Sequence, residues 1–257
     1  MKRLLTASAL IAVAVYLIFW APGPVFMAAA LLMSLLCYWE YSGLVAAHFI
    51  ARPALFGLFA GLLILFRPQD TLIGITLLVV IHFCVSLTSV NLRDILPQVA
   101  CSLLGAFYTF APWRFSADLR HISVHLLFFA LALNWAGDSA AYYIGRLFGK
   151  HSLAPRVSPK KSWEGAIASV AGSILFGLLY LRHFMPRIAW WQVTGMALLG
   201  NVAGQFGDLA ESAIKRGAGV KDSGTMLPGH GGMLDRVDSS LFGLPVIHFL
   251  YQIMRSQ

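Results

Sequence analysis

Long apolar runs separated by short polar breaks dominate the chain. A transmembrane helix needs about 20 mostly apolar residues to cross roughly 30 Å of hydrocarbon. The candidate spans lie at residues 4–20, 25–47, 54–66, 71–89, 95–111, 122–145, 162–181, 189–206 and 240–254. This pattern predicts an all-α fold, a polytopic transmembrane helical bundle of about nine spans with cytoplasmic polar loops.

The first apolar run follows two basic residues, Lys2 and Arg3. Such an arrangement also begins a secretory signal peptide, whose apolar core has roughly 7 to 15 residues. The run from Leu4 to Trp20 is longer than that core. We therefore interpret it as a retained first span.

Composition supports a membrane protein, because 58% of the residues are apolar and only 12% are charged. The net charge of +8 raises the alternative of a nucleic-acid partner. Most basic residues flank the predicted spans, and no basic helix or aromatic platform typical of a nucleic-acid reader is present. Membrane lipids with anionic headgroups explain the charge better, so we expect no nucleic acid.

The distribution of lysine and arginine predicts orientation, because basic residues are retained on the cytoplasmic side during insertion. With the N-terminus inside, 13 basic residues fall in cytoplasmic segments and 6 fall opposite. The two long polar segments, 146–161 and 207–239, then share the cytoplasmic face. The C-terminus lies outside.

Acidic residues are concentrated in the C-terminal half, where seven of the eleven lie between positions 138 and 238. The N-terminal spans show apolar patterning alone. We therefore divide the chain into residues 1–121, a transmembrane scaffold suited to lipid entry or dimerisation, and residues 122–257, a catalytic transmembrane domain with a cytoplasm-facing site.

One polar stripe is predicted on the helix after residue 201. Asp208, Glu211, Ser212 and Lys215 are spaced i, i+3, i+4 and i+7, which places them on one helical face. Such a stripe should face a polar cavity inside the bundle. The alternative is that Asp208 and Lys215 merely pair at a membrane interface.

A glycine-rich polar loop follows that stripe. Backbone N–H groups in such a loop can point at an anion, and nearby basic side chains suit phosphate oxygens. Clustered carboxylates would repel one another unless a hard cation joined them, which favours magnesium. The charged and glycine positions of the loop are Lys221, Asp222, His230, Gly231, Gly232, Asp235, Arg236 and Asp238. Taken separately, each has a plainer interpretation, such as a tight turn for Gly231 and Gly232.

This segment resembles the phosphatidate cytidylyltransferase family, also called CDP-diacylglycerol synthase. The family signature requires a serine, Lys-Arg, Lys-Asp, His-Gly-Gly and Asp-Arg-apolar-Asp at fixed spacing. The sequence meets every defined position, from Ser212 through Lys215, Arg216, Lys221, Asp222, Gly224, Leu227, Pro228, His230, Gly231, Gly232, Met233, Asp235 and Arg236 to Asp238. A second block, from Asp138 through Ser158, Lys160 and Lys161 to Glu164-Gly165, is similar to another family region.

The resemblance implies an enzyme that joins CTP to phosphatidate, releasing pyrophosphate and leaving CDP-diacylglycerol in a bacterial inner membrane. From the polar stripe and the loop we hypothesise that Asp208, Asp222 and Asp235 hold Mg²⁺, with Glu211 and Asp238 in support and a second cation left open. The phosphate-binding groups would be Lys215, Arg216, Lys221, His230 and Arg236, assisted by Ser212, Gly231 and Gly232. A cytosolic rim would consist of Asp138, Ser158, Lys160 and Lys161, and dimerisation is a further implication.

Two other function classes remain open from the sequence. A CTP-dependent lipid kinase, or a cytidylyltransferase for another lipid phosphate, could use the same magnesium and triphosphate apparatus. A transporter could also carry charges within its spans. Against a transporter, the charged residues gather in loops and at helix ends, and the two halves show no matching pair of interrupted spans.

Overall fold

The structure is a computed structural model that describes residues 2–48, 55–67, 69–88, 91–226 and 231–256. Within these ranges most of the chain is helical. The helices are α1 (Lys2–Phe19), α2 (Gly23–Ala47), α3 (Leu55–Phe66), α4 (Thr71–Ser86), α5 (Ile95–Ile122), α6 (Val124–Phe148), α7 (Trp163–Phe184), α8 (Trp190–Gly217) and α9 (Leu234–Arg255). A 3-10 turn, Leu92–Asp94, precedes α5, and two short strands lie between α6 and α7.

Every predicted apolar span corresponds to one of these helices. Four described segments are long and apolar enough to cross a membrane: Gly23–Ala47, Leu92–Ile122, Val124–Phe148 and Trp163–Phe184. Two shorter apolar helices, α3 and α4, lie between the first two of these segments. The chain is therefore an α-helical integral membrane protein, and the number of nine crossings stays a prediction.

Helix starts follow local chemistry that the sequence displays. The Ser123 hydroxyl accepts a hydrogen bond from the His125 N–H and caps α6, and the Ser162 hydroxyl accepts one from the Gly165 N–H and caps α7. Pro24 lies in the first turn of α2, where its missing N–H costs no helical hydrogen bond.

A β-hairpin replaces the irregular polar loop expected between α6 and α7. Strand β1 (Ser152–Ala154) pairs with β2 (Ser158–Ser162) in antiparallel register, with Ser152 opposite Ser162. Its sequence lacks the apolar alternation of a typical strand, so the pattern did not reveal it. The hairpin matters because it carries Lys160 and Lys161.

The chain forms two compact units, and neither is continuous in sequence. The first, unit 1, consists of residues 1–21, 115–213 and 237–257. The second, unit 2, consists of residues 22–114 and 214–236. The functional division between residues 121 and 122 stays a prediction.

Within unit 1, small and polar side chains let helices α6, α7 and α8 approach closely. A Cβ added at Gly137 would lie 2.5 Å from both the Asn201 amide nitrogen and the Ser169 hydroxyl. Asn201 donates to the Ser169 hydroxyl at 3.0 Å, and Gln205 donates to the Asn201 side-chain oxygen at 2.7 Å. The buried hydrogen bond between Asn201 and Ser169 links α8 to α7, and Gln205 binds Asn201 from the next turn of α8.

Within unit 2, helices α2 to α5 pack through aromatic and small residues. The Tyr41 hydroxyl donates to the Cys101 carbonyl oxygen at 3.0 Å, which ties α2 to α5. Ala60, Ile64, Ile75 and Ala106 form a buried apolar cluster among α3, α4 and α5. Helix α2 also bears the buried acid Glu40.

Candidate active site

In unit 1, three predicted site residues come together around Asp208. Lys161, on strand β2, forms an ion pair with the Asp208 carboxylate on α8. The Ser212 hydroxyl, one helical turn later, lies 3.3 Å from the other Asp208 oxygen. Asp138, on α6, is within electrostatic reach of both Asp208 and Lys161. The second motif block and Ser212, the first residue of the signature, therefore lie in the same structural unit.

Asp238 is brought toward the same region by the packing of α8 against α9. A Cβ added at Gly207 would lie 2.6 Å from the Asp238 carbonyl oxygen, so only glycine permits this approach. The Asp238 carboxylate accepts a hydrogen bond from the Ser239 N–H at 2.6 Å. Glu211 lies on the same stretch of α8 and is fully buried.

Helix α8 ends in a Schellman motif, which lies in the second segment of unit 2. The Val220 N–H donates to the Lys215 carbonyl oxygen and the Gly219 N–H donates to the Arg216 carbonyl oxygen, while Gly219 adopts a φ of 72°. The Arg216 side chain donates to the Val220 carbonyl oxygen at 3.2 Å. This turn directs the chain into the segment that contains Lys221 and Asp222.

Asp235, in the first turn of α9, is the most heavily hydrogen-bonded carboxylate of the predicted site. It forms an ion pair with Lys215, and the side chains of both residues are less than one-tenth exposed. Its other oxygen accepts from the N–H groups of Ser223 at 2.9 Å and Gly232 at 2.8 Å. Burial raises the pKa of Asp235, but the hydrogen bonds from Lys215 and the two N–H groups outweigh it and lower the pKa below its ordinary value.

The glycine-rich loop surrounds this carboxylate closely. Gly231 has a φ of 78°, a backbone conformation that favours glycine, and a Cβ added there would lie 2.6 Å from Asp235 Oδ2. The sequence predicted that N–H groups of this loop point at a bound phosphate. In the described part of the loop, those of Ser223 and Gly232 instead bind the protein's own Asp235.

The remaining predicted residues lie at the surface or outside the described residues. Lys160, Lys221, Asp222 and Arg236 are exposed, and Ser158 is half-buried on β2. The predicted histidine, His230, lies outside the described residues. Exposed basic groups such as these can contact a substrate phosphate without first breaking a protein contact.

The carboxylates fit a magnesium ion by chemical type, because Mg²⁺ prefers oxygen ligands. In the part of the chain that the structure describes, no group of three or more histidine, cysteine, aspartate or glutamate side chains is arranged to hold a metal. Instead, Asp208 pairs with Lys161 and Asp235 pairs with Lys215. A lysine ammonium group thus supplies positive charge beside each carboxylate.

Sequence reasoning missed Glu40, which lies on α2 in the predicted scaffold. Its carboxylate accepts hydrogen bonds from the N–H groups of Met233 and Leu234, each at 2.8 Å. The available signal was a lone acid within an otherwise apolar predicted span, because an ionisable group there is costly unless it is paired.

Comparisons with known proteins agree with the motifs. The model of the cytidylyltransferase family matches residues 1–254. A phosphatidate cytidylyltransferase of Staphylococcus aureus (strain COL) is 34% identical over 256 residues, covering 95% of this chain and 97% of the relative. Proteins of the same name from Staphylococcus saprophyticus and Staphylococcus epidermidis are 32% and 33% identical, with the same coverage of both chains. The resemblance seen in the sequence is thereby confirmed, and the chain belongs to the cytidylyltransferase family.

Proposed function

We propose that this chain is a membrane-embedded phosphatidate cytidylyltransferase, a nucleotidyltransferase of phospholipid biosynthesis. It transfers CMP from CTP to phosphatidate, giving CDP-diacylglycerol and pyrophosphate. The observation that carries the proposal is the pair of lysine–aspartate contacts, Lys161 with Asp208 in unit 1 and Lys215 with Asp235 in unit 2. The relatives of this name along almost the whole chain support it.

The reaction requires little covalent participation by the protein. A phosphatidate phosphate oxygen attacks the α-phosphorus of CTP, a new P–O bond forms, and the bond from the α-phosphorus to the leaving pyrophosphate breaks. Such a transfer depends on in-line positioning and on neutralising charge on the attacking and leaving groups. The chain supplies cations for this purpose at Lys161 and Lys215 and at the exposed Lys160, Lys221 and Arg236.

The proposed roles follow residue type and motif position. Asp208, Asp222 and Asp235 would hold Mg²⁺, supported by Glu211 and Asp238, and the ion would neutralise triphosphate charge when bound. The groups that hold the triphosphate or the lipid phosphate would be Lys215, Arg216, Lys221, His230 and Arg236, with Ser212, Gly231 and Gly232. The rim that receives a phosphate would be Asp138, Ser158, Lys160 and Lys161.

A lysine that is paired with an aspartate is suited to exchange that carboxylate for a substrate phosphate. The aspartate would hold the cation that accompanies the nucleotide. A lysine that left the carboxylate would offer three N–H donors to phosphate oxygens. Lys161 is the better candidate for such a movement, because its side chain and that of Asp208 are 28% and 32% exposed.

We further propose that the protein lies in the bacterial inner membrane with its N-terminus and site loops in the cytoplasm and its C-terminus outside. The excess of lysine and arginine in the segments assigned to the cytoplasm supports this orientation. A homodimer is proposed from the family resemblance. Labelling of single introduced cysteines in intact cells tests the orientation, and cross-linking in membranes tests the dimer.

Product identity tests the proposed reaction. Purified protein is incubated with phosphatidate, Mg²⁺ and CTP labelled either at the α-phosphate or at the γ-phosphate. A cytidylyltransferase transfers only the α-label to lipid and releases the γ-label as pyrophosphate. Transfer of the γ-label to lipid would instead identify a lipid kinase, and a requirement for another lipid phosphate would identify a different cytidylyltransferase.

A further inference from the structure

Glu40 is a buried acid within an apolar helix. It lies on α2, one of the segments apolar enough to cross a membrane, and only 5% of its surface is exposed. Burying an ionisable group in such a segment costs free energy, and a buried group of this kind usually has a specific partner or a function. The hydrogen-bond partners of Glu40 therefore indicate its role.

Those partners all belong to the segment that carries Asp235. One Glu40 oxygen accepts from the Met233 N–H, and the other accepts from the Leu234 N–H, each at 2.8 Å. These N–H groups lie at the start of α9, where backbone donors have no helical partner and the helix dipole favours negative charge. Glu40 thus caps α9 from a position about 190 residues earlier in the chain.

A single hydroxyl links Glu40 to Asp235. Ser223 Oγ lies 2.8 Å from Glu40 Oε2 and 3.0 Å from Asp235 Oδ2. Because a hydroxyl has one hydrogen, it can donate to only one of these carboxylates at a time. The Ser223 N–H remains bonded to Asp235 in either case.

Two glycines of the family signature are explained by this contact. A Cβ added at Gly224 would lie 2.8 Å from Glu40 Oε1. One added at Gly232 would overlap both Glu40 Oε2 and the Ser223 hydroxyl. The described residues on both sides of this loop therefore lie against the Glu40 carboxylate, and a side chain at either glycine would displace it.

We propose that Glu40 is a positioning residue for nucleotidyl transfer, which fixes the loop at residues 223–224 and the start of α9 so that Asp235 is held in its working position. The inference rests on the proposed function and assigns part of the site to the N-terminal scaffold. Glu40 acts through Ser223 and the α9 backbone, without contact with substrate. The alternative is that Glu40 serves folding alone.

The first experiment compares Glu40→Gln, Glu40→Asp and wild type in detergent or lipid discs. Glutamine keeps one acceptor oxygen but turns an NH2 group toward a backbone N–H, whereas aspartate keeps both acceptors on a shorter side chain. Because displacement of reacting groups by about 1 Å can cost about 100-fold in rate, we expect kcat of Glu40→Gln to fall by about that factor. Glu40→Asp should recover part of the loss, and KM for CTP should change much less than kcat.

Rates are expressed per folded molecule, from the monodisperse fraction on size exclusion. A role in folding alone would reduce the yield of that fraction and leave its kcat unchanged, and this result would overturn the proposal. Asp70→Asn is the matched control, because Asp70 is an acid of the same unit whose side chain is 68% exposed and pairs only loosely with Arg67 at 4.0 Å. Its kcat should equal that of wild type.

If the Glu40 variants yield no folded protein, Ser223→Ala provides the test. This change removes only the bridging hydroxyl and should lower kcat by about tenfold, the equivalent of one hydrogen bond. Wild-type kcat in Ser223→Ala would then overturn the proposal. Failure of the wild type to transfer the α-label would refute the proposed function, whereas normal transfer by wild type and Glu40 variants alike would refute only this inference.

Discussion

The two lysine–aspartate pairs differ in how firmly the protein holds them. In unit 2, Lys215 and Asp235 have side chains 9% and 7% exposed, and two backbone N–H groups also bind the aspartate. In unit 1, Lys161 and Asp208 are about one-third exposed, and the Ser212 hydroxyl lies near the aspartate. The buried pair holds its carboxylate in a fixed position, whereas we propose that the exposed pair exchanges partners.

The largest difference is expected when each aspartate loses its charge. Asp235→Asn and Asp208→Asn should both abolish transfer, but their stabilities should diverge. Removing one partner of a buried ion pair costs about 3–5 kcal/mol, whereas an exposed pair contributes about 1 kcal/mol or less. Denaturant titration of the purified variants measures both free energies of unfolding. Equal losses of unfolding free energy in the two variants would show that the protein does not hold the buried pair more firmly than the exposed pair.

Asp222→Asn is expected to separate activity from stability. Asp222 is exposed, although the next residue, Ser223, donates to the buried Asp235. Loss of a group that stabilises developing charge typically lowers kcat by about 100-fold to 1,000-fold, and loss of a metal ligand should exceed this. The variant should therefore lack turnover yet unfold at the wild-type denaturant concentration. Near-normal activity would remove Asp222 from the proposed metal site.

Two glycines with the same backbone conformation provide a smaller and better controlled test. Gly219 and Gly231 have φ values of 72° and 78°, so alanine at either costs roughly 1–2 kcal/mol. A Cβ at Gly219 meets nothing within 4 Å, whereas one at Gly231 approaches Asp235. Only Gly231→Ala should lower kcat, by about tenfold to 100-fold. Similar kcat values for the two variants would argue against a fixed position of Asp235.

The smallest expected effect concerns substrate affinity at the exposed pair. Lys161→Gln should raise KM by about tenfold for one substrate, which corresponds to one charge-assisted phosphate contact. Initial rates with CTP and phosphatidate varied in turn identify which substrate is affected. Lys150→Gln, at a nearby exposed position, should leave both KM values unchanged. An equal rise in both KM values for Lys161→Gln would contradict a direct contact with one substrate.

The sequence predicted the helices well because their signal is local. Apolar runs of sufficient length, interrupted by proline and charge, were enough to locate each helix from α1 to α9. Several helices extend beyond the apolar runs; for example, α5 continues to Ile122 and α9 begins at Leu234. Polar residues contribute to these extra turns, which a hydropathy pattern does not reveal, whereas the polar stripe had predicted that α8 continues through Lys215.

The site was predicted less completely, because several of its contacts join residues far apart in the chain. The motif predicted the importance of Lys215 and Asp235 but not that they form a buried pair. Glu40 could not be assigned at all, because its hydrogen-bond partners lie more than 180 positions later. Local patterns contain no information about such pairing. The hairpin that carries Lys161 was missed for a related reason, since its strands are short and polar.

The central claim is that the clustered acidic and basic groups bind a cation and a triphosphate together. Equilibrium binding of labelled CTP to the purified wild type, measured with Mg²⁺ and after chelation, tests it most directly. We predict binding that requires the divalent ion and is lost in both Asp208→Asn and Asp235→Asn. Failure of the folded wild type to bind CTP with any divalent ion, or equal binding after chelation, would contradict the account.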